Sequence, residues 1–227
     1  MKTIGILGCG WLGQKLFESL KNIYNTKCYT RKDIKNSNSF EALDTLIVSI
    51  NTKDNYLSTL TKVLNLIDKN TNLILMSSIS VYREYDCEVD ETATISEIKL
   101  QREAEILLES TNTDVLILRL GGLMGYDRVA GRWSKVSKFS DGYVNYIHRD
   151  DVIEIVKKLL KSNTTKGIYN LVAPNHPMRS EVHKQNAKNF GFKLGSFDGM
   201  TKRVVKSDKI IKDLEYKFLY PNPLKFW

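Results

Sequence analysis

Gly8, Gly10 and Gly13 stand between an apolar run at residues 3–7 and a segment in which Leu12, Leu16, Phe17 and Leu20 recur at helical spacing. A strand, a glycine turn and a helix in that order make a site for an anion. The first glycine permits the tight turn, the second lets a pyrophosphate approach the backbone, and the third lets the helix lie close on the strand. The phosphate then meets the unpaired N–H groups and the positive end of the helix dipole. The pattern predicts dinucleotide binding, with a merely tight strand-to-helix turn as the alternative.

The end of the second strand selects the dinucleotide, because an acid there holds a ribose 2′-OH and an arginine accommodates a 2′-phosphate. Residues 26–33 read TKCYTRKD, with Arg31 and Lys32 where the acid is expected. NADP is therefore favoured; Asp33 leaves NAD open, and two solvated loop cations are the plainer alternative.

The elements that must position these groups follow from the rest of the chain. Its 227 residues, 42% of them hydrophobic, suit one fairly large domain or a domain with a small annex. Residues 44–50, 72–78 and 114–120 read as strands, and 56–67, 95–108, 152–160 and 179–190 as helices, the third capped by Asp150 or Asp151. Strand and helix alternate, which predicts an α/β fold with a doubly wound parallel Rossmann sheet. Between the second strand and Asp44 there is room only for a loop or small helix, so an outer strand can be missing there.

Composition narrows the function classes. The net charge of +8 is scattered rather than clustered, which argues against nucleic acid and suits a phosphorylated ligand. No apolar run reaches the length of a membrane span and Lys2 precedes only a glycine-broken stretch, so a cytoplasmic protein without a membrane partner is expected. Cys9, Cys28 and Cys87 are odd in number and lack metal-site spacing. They predict reduced structural thiols and no metal site.

MSSISVY at 76–82, LRLGGLMG at 118–125, VNYIHRDDV at 144–152, GIYNLVAPNHPMR at 167–179 and LEYKFLYPNP at 214–223 occur in this order. In that order the chain resembles the extended and atypical short-chain dehydrogenase/reductases, the NAD-dependent epimerase/dehydratase superfamily. The form GWLG at residues 10–13 is similar to its atypical, YeeZ-type branch. The resemblance implies a single Rossmann-type domain over 1–227. A dinucleotide-binding core would span about 1–125 and 144–173, and a small substrate-side lobe about 126–143 and 174–227. It implies that Gly8, Gly10, Trp11, Leu12 and Gly13 line the pyrophosphate, that Arg31 and Lys32 meet the adenosine side, and that Ser49, Ile50 and Asn51 pass close to the cofactor. Ser78 falls where the family keeps the serine that hydrogen-bonds a reacting hydroxyl or carbonyl, with Ser80 a second hydroxyl nearby. Gly121, Gly122 and Leu123 follow the strand that ends beside the nicotinamide. A homodimer through two helices per subunit is a further expectation of that kind.

One departure bears on the chemistry. In the family a tyrosine, with a lysine four residues later, moves the proton as hydride moves, the lysine lowering a tyrosine pKa that is ordinarily about 10. The corresponding helix here contains no tyrosine; Glu97 and Gln101 fall in the two positions, with Lys99 out of register. Lys99, Tyr82, or Tyr126 with Arg128 are the substitutes to weigh. Downstream, Arg128 and Arg132 in YDRVAGRW could clamp an anionic or sugar-nucleotide-like small molecule, a solvated basic loop being the alternative. His148 and Asp151 invite a catalytic dyad but more simply tie loops together. The expectation is an NAD(P)-binding, oxidoreductase- or epimerase-like protein without the usual Tyr-x-x-x-Lys pair. The alternative is a non-catalytic NAD(P)-binding regulatory or redox-sensing protein.

Overall fold

The structure, a computed structural model, describes residues 1–30, 32–35, 40, 42–52, 55–84, 86–96, 98–111, 113–133 and 137–227. The first half runs β1 (Thr3–Leu7), α1 (Gly13–Leu20), β2 (Asn25–Tyr29), β3 (Thr45–Val48), α2 (Tyr56–Leu64), β4 (Asn72–Ser78), β5 (Glu88–Val89), α3 (Leu100–Glu109) and β6 (Val115–Leu120). The second half continues with β7 (Gly122–Met124), β8 (Lys138–Gly142), β9 (Tyr146–His148), α4 (Arg149–Lys161), β10 (Gly167–Leu171), α5 (Arg179–Phe190), β11 (Ser196–Thr201), β12 (Val204–Val205) and α6 (Asp208–Leu214).

Six strands form one parallel sheet in the order β10-β6-β4-β3-β1-β2. The apolar runs explain it: β3 and β6 are buried at every position, as strands covered on both faces must be. Among the described residues no strand lies between β2 and β3, so β2 ends the sheet. The strand order reverses at β1, with β2 on one side and β3 on the other. In open α/β sheets that reversal is where ligands bind, outside the carboxyl ends of the strands.

The chain divides into two compact units. The first comprises residues 1–81, 95–119 and 156–168, and the second residues 82–94, 120–155 and 169–227. The first is built on a core that includes Leu46, Leu60, Leu73, Leu75 and Leu108, fully or almost fully buried. The second holds three two-stranded parallel pairs, β8 with β11, β5 with β12, and β7 with β9. Its own core includes Val144, Tyr146, Val182 and Phe226.

Three expectations are corrected. The helix expected over 95–108 begins at Leu100: Lys99 is extended (φ −93°, ψ 129°), and the Ser96 N–H donates back to Val81 O at 2.8 Å. The helix expected over 152–160 begins at Arg149, which puts Asp150 and Asp151 inside its first turn; the imidazole Nδ1 of His148 accepts the Asp150 N–H at 3.2 Å instead. Finally, Cys9 and Cys28 are joined as a disulfide with Cα atoms 6.0 Å apart, and Cys87 is the exposed free thiol. The odd count concealed a pair plus a spare. No helix among the described residues is long and apolar enough to cross a membrane.

Candidate functional site

The glycine turn occupies the carboxyl end of β1 in the first unit. Gly8 has φ 99°, a left-handed conformation that side chains resist, and a Cβ on it would come within 2.7 Å of Ser49 O. Its N–H donates to Tyr29 O at 3.0 Å, while the Ser49 N–H donates to Leu7 O at 2.8 Å, so the turn and the segment after β3 are held together at the sheet's reversal point. A Cβ on Gly13 would collide with the Gly8 carbonyl oxygen, which is why α1 can start directly beneath the turn. A Cβ on Gly10 would meet nothing within 4 Å. Two of the glycines therefore allow close packing, and the third borders open space.

Helix α1 begins at Gly13 behind an N-cap, Leu12, that makes no side-chain hydrogen bond, and carries no acid in its first turn. An anion is the partner such a helix start favours. Trp11 is half-buried and Leu12 buried, and Ile50 lies against the turn, where its Cγ2 would be 2.8 Å from a Cβ on Gly8. Asn51 is exposed just beyond.

At the end of β2, Asp33 Oδ2 accepts the Thr30 N–H at 2.7 Å and the Thr30 hydroxyl at 2.8 Å. These bonds hold its carboxyl below the usual carboxylate range. Lys32 is exposed in the same turn, its N–H donating to Thr30 Oγ1 at 3.3 Å. Arg31 lies outside the described residues.

At the end of β4, Ser78 Oγ accepts the Ser80 N–H at 3.1 Å, and the Ser80 hydroxyl is buried with no hydrogen-bond partner among the described residues. Below them lies a network that sequence reasoning missed. Glu105 on α3 receives Ser77 Oγ at 2.6 Å on Oε1, and it receives the buried Arg119 of β6 on both oxygens. The only sequence signal was an arginine inside an otherwise apolar strand.

Of the substitute proton donors, Lys99 stands at the N-cap of α3 outside the helix, and Glu97 lies outside the described residues. Tyr82 is fully buried and its hydroxyl donates to Asn170 Oδ1 at 2.6 Å, a bond that serves packing in the second unit. Tyr126 is exposed, with φ 56°, under the Arg149 guanidinium at 4.3 Å from the ring centroid. Its hydroxyl donates to Asp150, which pushes the phenol pKa up. That is the opposite of the shift a proton relay requires.

Also in the second unit, a Cβ on Gly121 would lie 2.5 Å from Asn145 O and one on Gly122 would lie 2.6 Å from the Tyr146 ring. These glycines let β7 approach β9, and Leu123 sits half-buried between them and Met124. His148 stacks on Tyr220 at 3.7 Å between ring centroids, and burial lowers its pKa. Asp151 is fully buried and accepts Tyr216 OH at 2.7 Å, Leu219 N at 2.7 Å and Tyr220 N at 3.1 Å; burial still pushes its carboxyl up. His148 caps a helix through Nδ1, and Asp151 clasps the 216–220 segment through both carboxylate oxygens. Arg132 lines an open cavity of about 860 Å³ with Trp133, Phe192, Lys193 and Ser196. Arg128 is exposed in a tight turn, bonded through its backbone to Gly125, and does not line that cavity.

No protein-family model matches the sequence. Aligned with curated proteins, the chain is 28% identical to protein YeeZ of Escherichia coli (strain K12), over 99% of this chain and 98% of YeeZ. It is similar to YeeZ from end to end. The likeness to YeeZ therefore includes both compact units. Among solved structures, a protein assigned as an NAD-dependent epimerase/dehydratase from Methylobacillus flagellatus superposes with a TM-score of 0.79 at 18% identity, covering 99% of this chain and 96% of that one. Human epimerase family protein SDR39U1, solved with NADPH, superposes with a TM-score of 0.76 at 13% identity, covering 99% and 97%. The fold of this YeeZ-like chain is the Rossmann fold of the epimerase/dehydratases.

Proposed function

We propose that this chain binds a nicotinamide dinucleotide, NADP(H) in preference to NAD(H), and acts as an oxidoreductase- or epimerase-like enzyme on a small carbonyl or sugar-nucleotide-like substrate. The observation that carries the reading is the turn itself: Gly8 and Gly13 leave no space for side chains, Gly10 borders open space, and α1 starts uncapped at the sheet's reversal point. The residues fit the group. Gly8, Gly10, Trp11, Leu12 and Gly13 would hold the pyrophosphate, with Ser49, Ile50 and Asn51 alongside.

The preference for the phosphorylated form rests on Asp33. Its Oδ2 holds Thr30, while Lys32 is exposed beside it and Arg31 precedes both in sequence, two cations where an acid would otherwise meet the ribose. Solved neighbours carry NADPH in the human protein and NAD in others, which supports a nicotinamide cofactor and leaves the choice between the two forms to residues 31–33. When bound, the cofactor would supply a hydride acceptor or donor. Ser78 would hydrogen-bond the reacting oxygen.

A second reading, a dinucleotide-binding regulatory protein without hydride chemistry, is favoured by the late start of α3 and the engaged hydroxyl of Tyr82. Calorimetric titration of cofactor-stripped protein with NADPH, NADP, NADH and NAD tests what the readings share; binding of none of the four overturns both. Ser78→Ala then separates them. Loss of turnover on a panel of carbonyls and sugar nucleotides, with dinucleotide affinity kept, supports the enzyme; no turnover by the unmutated protein supports the binder.

A further inference from the structure

The only disulfide among the described residues lies inside the glycine turn. Cys9 stands between Gly8 and Gly10, and Cys28 is the penultimate residue of β2. In the parallel ladder Cys28 is opposite Ile6, so a straight continuation of β1 would carry residue 9 away from it. The left-handed Gly8 turns the chain back, and the Gly8 N–H bond to Tyr29 O keeps it there. The Cα atoms end 6.0 Å apart, within the span that a disulfide bridges.

Both cysteines are half-buried, so a small thiol or disulfide can reach them. The Cys9 sulfur also lies 3.7 Å from the carbonyl oxygens of Ile6 and Tyr29, acceptors that a reduced thiol would use only weakly. The bond encloses all of α1, since its ends are 19 residues apart and flank residues 13–20. It ties the turn assigned above to the pyrophosphate to the strand end assigned to the adenosine side.

We propose that Cys9 and Cys28 form a reversible dithiol–disulfide pair that staples the glycine turn to the end of β2. On the dinucleotide reading above, on which this consequence rests, the pair couples the surrounding thiol poise to cofactor affinity. The oxidant is a low-molecular-weight disulfide. One protein thiolate attacks it to give a mixed disulfide and one free thiol, and the second thiolate displaces the other half. Two protein thiols and one small disulfide thus become one protein disulfide and two small thiols, with two electrons and two protons passing to the oxidant. Oxidation fixes the turn in the arrangement described, open at Gly10, so the oxidised form binds the dinucleotide more tightly. Reciprocally, the dinucleotide favours the disulfide.

The test uses the full chain carrying Cys87→Ser, which removes the exposed third thiol. It is equilibrated in mixtures of reduced and oxidised glutathione, trapped with an alkylating reagent, and read by intact mass and by amide exchange at residues 8–13. Expected are a form lighter by two hydrogens that resists alkylation, exchange in the turn slowed about tenfold in that form, and loss of both effects in Cys28→Ser with its circular dichroism unchanged. Two alkylatable thiols in every mixture, glutathione held on single cysteines, or equal exchange in the two forms would each overturn the staple.

Calorimetry with NADPH on the two forms is the separate arm. About tenfold tighter binding to the oxidised form is expected, matched by a shift of about 30 mV in the midpoint when NADPH is present. Equal affinities overturn the coupling alone. Absence of binding to either form overturns the dinucleotide reading and the coupling with it, leaving the staple to be judged on mass and exchange.

Discussion

Glu105 and Arg119 meet face to face inside the first unit, Nε to Oε1 at 3.0 Å and Nη2 to Oε2 at 2.8 Å, with both side chains fully buried. The carboxylate also receives Ser77 Oγ at 2.6 Å and Arg102 Nη1 at 3.3 Å, so α3, β4 and β6 converge on one group. Removing one partner strands the other charge away from water. Glu105→Ala is expected to cost roughly 3–5 kcal/mol in urea unfolding, and Glu105→Met combined with Arg119→Met to recover most of it. A single variant as stable as the parent would mean that water or another group replaces the pair.

Gly10→Ala separates binding from folding. The added methyl enters open space, so stability should change by less than about 1 kcal/mol. Dinucleotide affinity should fall by roughly tenfold or more, because that space is the proposed approach of the pyrophosphate. Calorimetry beside a thermal melt decides it: unchanged affinity would move the binding site off the turn.

Arg31→Ala and Lys32→Ala should weaken NADPH far more than NADH, by roughly tenfold against little change. Both cations precede Asp33, whose Oδ2 is already taken by Thr30. Equal affinities for the two cofactors in the parent protein would remove the 2′-phosphate from the account.

His183 makes stability depend on pH. It is fully buried, with Nε2 3.0 Å from Tyr146 OH, and burial lowers its pKa from 6.5 to about 4. Between those values the unfolded chain takes up a proton that the folded chain refuses, so this contribution is present above pH 6.5 and lost as pH falls toward 4. The loss is on the order of 3 kcal/mol for a shift of that size. Burial lowers His148 and His176 as well, in the same sense. Urea midpoints across that interval should decline with acid, and His183→Gln should flatten the decline; an unchanged slope in the variant would assign it elsewhere.

Much of the fold was legible because burial writes itself as apolar runs. The strands expected at 3–7 and 72–78 and the helix at 179–190 occur with those limits, the last stopped by Gly191 at φ 66°. The glycine turn was legible because its packing tolerates few residue types. Less legible were features decided by partners distant in sequence. Ser96 bonds back to Val81 ahead of α3, and Cys9 meets Cys28 only because Gly8 reverses the chain. Spacing rules cannot register such meetings. The proton donor was illegible for another reason: the family position is empty here, and neither Tyr82 nor Tyr126 has the environment that the role demands.

Among the described residues the sheet ends at β2, and the outer flank of a terminal strand offers backbone donors and acceptors to any extended peptide that passes. This strand is only five residues long, alternates exposed with half-buried positions, and shows Asn25 and Lys27 to solvent. A desolvating charge and a short ladder make lateral addition of another strand unrewarding. An edge strand of this kind carries its own safeguard against self-templated aggregation, with Lys27 its one charged residue.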